Sequence, residues 1–207
     1  MSFRIEEKLK VDPTRLPVFL NWLAESGASL LYPPRRVVSV YLDNDQLSMF
    51  HDSREGVLPR KKLRFRRYES RCELMTGWNL ESKISAVEGR FKTSVPVTGS
   101  PYDLHGGLVD DHYGLCRQRV EVAYVRNYFA LDGIRVTVDQ DITYRRVVAR
   151  FQSTPVTSDP DIAIELKAPH ELPVDKLNSL FPWDRMRFSK YCRAVEATLL
   201  HGDQRSA

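Results

Sequence analysis

Alternation of apolar and polar residues is the dominant pattern of this chain. Residues 3–11, 61–68, 77–84, 118–131, 134–144 and 162–167 place apolar side chains on one face and polar ones on the other, the two-residue period of a strand. Residues 36–42 add a strand of β-branched character. Residues 88–96 read as a further strand or a loop. Helical signals are fewer. Asp12-Pro13 supplies a cap and a first helical position for a helix through Trp22 that stops at Gly27. Short helices are expected at 45–52, closed near Gly56, and at 174–181 and 187–200. A weaker one at 102–113 is interrupted by Gly106-Gly107. Asp132-Gly133 is a strong hairpin signal, 69–76 a connection, 154–160 a polar loop and 201–207 a polar tail. About eight strands with helices at the start, middle and end make an α+β chain of mainly antiparallel strands, one domain over 1–200.

The polar positions are what set these strands apart. Glu-x-Lys occurs three times, at Glu6-Glu7-Lys8, Glu81-Ser82-Lys83 and Glu165-Leu166-Lys167. Residues two apart share a face, so each motif sets an acid beside a base. Lys62-Leu63-Arg64-Phe65-Arg66 stacks three cations with no acid. The strand positions that share a face with these charges carry ten cations (Arg4, Lys8, Lys10, Lys62, Arg64, Arg66, Lys83, Arg126, Arg135, Lys167) against five anions (Glu6, Glu81, Asp139, Asp141, Glu165). A solvated sheet face is the plain alternative for any one strand. For the set it is weaker, because like charges crowded on one face repel and an anion would relieve them. Phosphate suits guanidinium and ammonium donors best.

The residues also carry a resemblance. Arg4-x-Glu6-x-Lys8, Val40-Tyr41-Leu42-Asp43, Lys62-Leu63-Arg64-Phe65-Arg66-Arg67-Tyr68, Leu80-Glu81-Ser82-Lys83, Tyr124-Val125-Arg126, Arg135-Val136-Thr137-Val138-Asp139, Ile164-Glu165-Leu166-Lys167 and Arg187-Phe188-Ser189-Lys190-Tyr191 occur in this order. The set resembles the VTC domain, the polyphosphate polymerase branch of the triphosphate tunnel metalloenzymes. The resemblance implies a closed antiparallel β-barrel of about eight strands with flanking helices, its charged tunnel holding ATP, triphosphate or polyphosphate. Lys8, Arg64, Arg66, Lys83, Arg126 and Lys190 would then contact phosphate, with Arg135 and Lys167 as further candidates. Glu165 would lead the metal ligands, with Glu6 and Glu81 as helpers or as groups that orient cations. Mn²⁺ or Mg²⁺ is the implied ion, given the oxygen donors. Ser189 opens the last helix as a cap, and the family match adds it to the anion site. The hydrolase and cyclase relatives carry Glu-x-Glu-x-Lys on the first strand. Arg4 stands at the first Glu here, which favours the polymerase branch and removes one carboxylate.

The expected activity is ATP-dependent polyphosphate synthesis. The alternatives are a tripolyphosphatase or nucleoside triphosphatase on the same site, and a polyphosphate binder without turnover. Composition narrows the classes further. The 207 residues are 42% hydrophobic and 28% charged, with net charge +4, ordinary for a soluble globular protein. No run approaches the ~18 apolar residues of a membrane span, and the N-terminus lacks a secretory h-region. Cys72, Cys116 and Cys192 have no metal or disulfide spacing and fit a reducing cytoplasm. His51, His105, His112, His170 and His201 show no metal spacing, and no Gly-rich loop ends in Gly-Lys-Ser/Thr. Any phosphate site must therefore be made of side chains. Nucleic acid is not expected, since Phe65 lies on the face opposite Arg64 and Arg66 and cannot interleave with them for base stacking. Trp22 and Trp183 are read as packing residues.

Overall fold

The computed structural model describes residues 4–69, 77–148 and 154–200. Cys72, His201, most of the 69–76 connection and the 201–207 tail lie outside the described residues. Among the described residues there are ten strands: β1 (Arg4–Leu9), β2 (Ser29–Asp43), β3 (Arg60–Glu69), β4 (Trp78–Ala86), β5 (Gly89–Val97), β6 (Leu108–Asp110), β7 (Gly114–Leu131), β8 (Ile134–Arg146), β9 (Val156–Ser158) and β10 (Ala163–Pro169). Their hydrogen-bonded order is β1-β10-β8-β7-β2-β3-β4-β5, with β6 on β7 and β9 on β8. The registers of β1 with β10, β10 with β8, β3 with β4 and β4 with β5 are all antiparallel. The architecture is therefore the antiparallel, strand-rich fold that the alternation predicts.

The helices are α1 (Leu16–Glu25), α2 (Ser48–Glu55), α3 (Val174–Leu180) and α4 (Lys190–Val195). Asp12 caps a 3₁₀ turn over Pro13–Arg15, accepting from the Thr14 amide, and α1 follows directly. α4 runs on into a π-helical turn over Glu196–Leu200. Asp132 and Gly133 both take positive φ, 49° and 76°, the twist of the tight hairpin expected there.

Three expectations need correction. The 102–113 stretch is not a helix: it holds a 3₁₀ turn at Pro101–Asp103 and the short strand β6. Gly107 explains why, since its φ of 76° and a Cβ that would come 2.6 Å from the Cys116 carbonyl oxygen exclude other residues. The loop at 154–160 contains β9, paired to the end of β8. β2 also starts seven residues earlier than Arg36, running through Pro33 and Pro34.

The described residues fall into two compact units. One takes 4–36, 124–142 and 159–188; the other takes 37–69, 77–123, 143–148, 154–158 and 189–200. In the first, Leu9, Val136, Val138, Ile164 and Leu166 form the covered face of β1, β10 and β8, packed with Phe19 and Leu23 of α1 and with Leu177 of α3. Trp22 packs edge-on against Trp183 at 4.3 Å and Phe181 at 5.4 Å, consistent with a packing role for both tryptophans. In the second, Val37 to Leu42 of β2 are buried on both faces, and Met49, Phe50, Ala194 and Val195 of the two helices are buried as well.

Candidate active site

Strand register decides which charges meet. In the first unit the face opposite the apolar core carries two cross-strand rows. Lys8 lies opposite Glu165, which lies opposite Thr137. Glu6 lies opposite Lys167, which lies opposite Arg135. The Lys167 ammonium joins the two rows, 3.0 Å from Glu6 Oε1 and 3.2 Å from Glu165 Oε1. Lys8 donates to the backbone carbonyl of Phe188, whose segment runs beside β1 through bonds from Met186 N to Lys8 O (2.9 Å) and Lys10 N to Asp184 O (2.8 Å). Arg126 grips Asp139 with two parallel bonds, Nε to Oδ1 at 2.5 Å and Nη2 to Oδ2 at 2.7 Å. Asp139 is 1% exposed, so this pair is structural as well as chemical.

Two buried polar atoms on these rows are unsatisfied. Among the described residues, Thr137 Oγ1 and Arg135 Nε have no hydrogen-bond partner. Buried polar groups are nearly always paired, so an orphaned donor in each row, beside Glu165 and beside Lys167, marks a place built to meet a ligand or water. The oxygen donors Glu165 and Glu6 suit a hard divalent cation of the Mg²⁺ or Mn²⁺ type. Among the described residues no group of three or more His, Cys, Asp or Glu could hold a metal. A metal here would take one or two carboxylates from the protein, a share that suits an ion whose other ligands are substrate phosphates. The residues fit such an ion on those terms.

The second unit concentrates cations. Lys62 of β3 lies opposite Lys83 of β4, and Lys83 lies opposite Lys92 of β5, three ammonium-bearing residues in one row. Like charges directly opposite destabilise a sheet. One row away, Arg64 lies opposite Glu81. Glu81 is 3% exposed and takes Arg64 Nη2 at 2.7 Å, Lys92 Nζ at 2.7 Å and Arg66 Nη1 at 3.7 Å. Burial works against its charge, but Arg64, Arg66 and Lys92 outweigh it and pull the carboxyl down to about 2. Glu81 therefore holds cations in place; its oxygens are taken up by guanidinium and ammonium groups.

Two further neighbours fix the guanidiniums. Arg64 Nη1 donates to the Tyr41 hydroxyl at 2.9 Å and Arg66 Nε to Ser39 Oγ at 3.0 Å. Burial pushes the Tyr41 phenol up, yet the charges of Arg64, Arg66 and Lys62 win and bring it to about 8. A buried phenol so acidified reports a strongly positive local potential. Lys62 is shifted down, chiefly by burial, with Lys83 and Arg60 adding repulsion. Its ammonium donates to Ser189 Oγ at 2.9 Å and lies 6.0 Å from the Tyr191 ring. Ser189 also caps α4, accepting from Cys192 N at 3.3 Å, so the cap and the charge cluster share one hydroxyl. Lys190 follows as the first residue of α4. Tyr191 stacks on Tyr41 with centroids 4.9 Å apart and donates to the buried Asp43 carboxylate. Asp43 in turn accepts from Met49 N (3.0 Å) and Phe50 N (2.9 Å) at the start of α2.

The sequence-derived candidates thus divide into two groups. Lys8, Arg126, Arg135, Glu6, Glu165 and Lys167 gather in the first unit; Arg64, Arg66, Lys83, Glu81 and Ser189 gather in the second, where Lys190 also lies. Four neighbours had not been singled out. Lys92 was missed because β5 was left between strand and loop. Tyr41 and Ser39 look like ordinary strand residues until register sets them beside Arg64 and Arg66. Thr137 lay within the quoted Arg135–Asp139 motif, but nothing marked its hydroxyl except the two-residue spacing from Arg135 and Asp139.

Comparison with known proteins bears on the same residues. The sequence model of the VTC domain matches residues 3–101 and 112–199. No curated protein matches the sequence. Solved structures share the fold at low identity. A candidate adenylate cyclase of Vibrio parahaemolyticus is 13% identical, with 94% of this chain and 98% of that one covered and a TM-score of 0.55. A conserved hypothetical protein of Pyrococcus furiosus is 12% identical, with 91% and 99% covered and a TM-score of 0.53. A candidate adenylyl cyclase of Hippeastrum, described by its dominant triphosphatase activity, is 12% identical, with 95% and 96% covered and a TM-score of 0.50.

Proposed function

Since this chain belongs to the VTC domain family, we propose that it transfers phosphoryl groups of a triphosphate, with ATP as donor and a growing polyphosphate as acceptor. The observation that carries the reading is the Lys62–Lys83–Lys92 row beside Arg64 and Arg66, where Glu81 pairs with three of the five cations, Arg64, Arg66 and Lys92. Such an arrangement is costly in the free protein and is relieved by a polyanion. The closed barrel implied by the family resemblance belongs to the same proposal.

Phosphoryl transfer asks a protein mainly to position phosphates and to neutralise developing charge. Arg64 and Arg66 are preset for this: Glu81, Tyr41 and Ser39 hold their forks, so little side-chain freedom is lost on binding. Lys62 and Lys83 add point charges to the phosphate oxygens. Lys190 adds a further phosphate contact in the second unit; in the first unit Lys8, Arg126 and Arg135 are the proposed phosphate contacts, and Lys167 holds Glu165 and Glu6 in orientation. A divalent cation, Mn²⁺ or Mg²⁺, would be held by Glu165 with Glu6 and would supply further neutralisation of phosphate oxygens. The acceptor sets the reaction: a polyphosphate end gives a longer chain and ADP, whereas water gives orthophosphate. The Hippeastrum relative's triphosphatase activity makes hydrolysis the second reading.

The test is incubation of the purified chain with ATP, Mn²⁺ and a short polyphosphate seed. Products are resolved on a polyphosphate-stained gel, with ADP and orthophosphate assayed alongside. A ladder with matching ADP supports the polymerase. Orthophosphate without a ladder moves the assignment to a triphosphatase. Neither product, with saturable polyphosphate binding, leaves a binding module.

A further inference from the structure

A cavity of about 420 Å³ opens in the second unit, at the start of β7 and the end of β8, and is lined by none of the residues proposed above as phosphate contacts. Four guanidiniums line it: Arg117, Arg119, Arg145 and Arg146. Strand geometry explains the concentration. Arg117 and Arg119 are two apart on β7 and share a face. Arg145 and Arg146 would diverge in a continuing strand, but β8 ends at Arg146. Beyond it, Val147 N bonds to Arg119 O at 2.9 Å and Thr154 Oγ1 donates to Arg146 O at 2.7 Å. Across the cavity, Gln118 Nε2 fastens the 3₁₀ segment through Leu104 O at 2.9 Å.

Acids cover only part of this charge. Arg119 is tied to Asp45 and, through Nε, to Asp43 O at 3.1 Å. Arg117 reaches the same Asp45 loosely, at 3.5 Å. Arg145 pairs with Glu121 at 2.7 Å, and Glu121 also accepts the Tyr102 hydroxyl. Among the described residues no acid pairs with Arg146. Two carboxylates thus meet four guanidiniums, and Asp45 is 67% exposed, where water screens most of its effect. The remaining wall is mixed: Tyr102, Leu104, Val147 and Val148 beside His105, Gln118 and Thr154. Its volume lies within the range of small-molecule sites and far exceeds a bare phosphate.

We propose that this cavity is a second anion site that takes a nucleoside phosphate, its phosphates on Arg117 and Arg146 and its base against Tyr102 and Leu104. Guanidinium forks bind phosphate oxygens in pairs, and an aromatic wall beside them suits a base. The site is separate from the reacting phosphates and would let nucleotide act on the chain without occupying the catalytic cations.

The test is calorimetric titration of the full chain with ADP, beside the R117A/R146A and K83A variants. Two classes of ADP site are expected in the unaltered chain. R117A/R146A is expected to weaken one class by about tenfold or more, the loss of charge-assisted phosphate bonds. K83A is expected to keep that class and weaken the other. Arg117 and Arg146 are partly or largely exposed, so the thermal midpoint of their variant should match the parent. A single class of site in the parent, two unchanged classes in R117A/R146A, or inorganic pyrophosphate binding the cavity as tightly as ADP would overturn the proposal. The count of sites reads out whether or not phosphoryl transfer is observed, so failure of the catalytic reading and failure of this one are separable.

Discussion

The two charged regions of this molecule use the same residue types to opposite ends. On β1, β10 and β8 of the first unit, acids and bases alternate across the strands and satisfy one another: Glu6 and Glu165 share Lys167, and Asp139 holds Arg126 in two bonds. On β3, β4 and β5 of the second unit, lysine faces lysine twice in succession, and Glu81 answers Lys92, Arg64 and Arg66. A balanced face is stable as it stands. Lysines set directly opposite one another repel, and an external anion would relieve that repulsion, as the proposed phosphate grip requires. Under the proposed function the contrast also separates two jobs, because the balanced region keeps its carboxylates oriented while the surplus region would bind phosphate.

The largest effect should come from emptying the surplus region. Lys83→Ala is expected to lower triphosphate affinity and turnover by about a hundredfold, on the scale of losing one or two charge-assisted phosphate contacts. Its thermal midpoint should stay level or rise, because the substitution relieves repulsion from Lys62 and Lys92. Parallel assays of turnover and unfolding check this, and a destabilised variant would show that Lys83 is structural. Glu165→Gln probes the balanced region. Metal-dependent turnover should be lost while polyphosphate binding survives nearly intact, as read by filter binding; unchanged turnover would remove Glu165 from the site.

A smaller effect concerns stability in acid. Glu81 has a carboxyl lowered from 4.5 to about 2 in the folded chain. The unfolded chain binds its proton first as pH falls, so the stabilisation is full above pH 4.5 and is lost as pH drops toward 2. Over that window the contribution is on the order of 3 kcal/mol, from the free-energy equivalent of each pH unit. Glu81→Gln should be less stable at neutral pH and should flatten the fall in denaturant midpoint across this window. An unchanged acid profile would mean that the three cations do not hold the charge of Glu81.

How much of this was legible beforehand follows from what a strand shows locally. Alternation placed β1, β3, β4, β7, β8 and β10 and put Arg64 with Arg66 and Glu165 with Lys167, because a two-residue period is a local property. Asp132-Gly133 likewise marked its hairpin through the positive φ that both residues adopt. Register is non-local. That Lys62 meets Lys83 and Lys83 meets Lys92 depends on how three strands pair, which no single stretch declares. The buried state of the charges was equally hidden: Leu63 and Phe65 are buried on one face of β3 while Arg66, at 6% exposure, is buried on the other. The sequence pattern alone could not distinguish that from a solvated face. The helix expected at 102–113 failed because Gly107 needs a backbone that no helix offers.

Tyr41 offers the most direct measurement. Its hydroxyl sits on Arg64 at 2.9 Å, and the surrounding cations bring its ionisation to about 8. Ultraviolet titration of the phenolate, with Tyr41→Phe as the blank, reads the local potential without requiring turnover. Added inorganic triphosphate should neutralise the cations and move the Tyr41 midpoint upward toward the ordinary tyrosine value. A midpoint that stays at about 8 under saturating triphosphate would contradict the claim that these cations exist to hold phosphate.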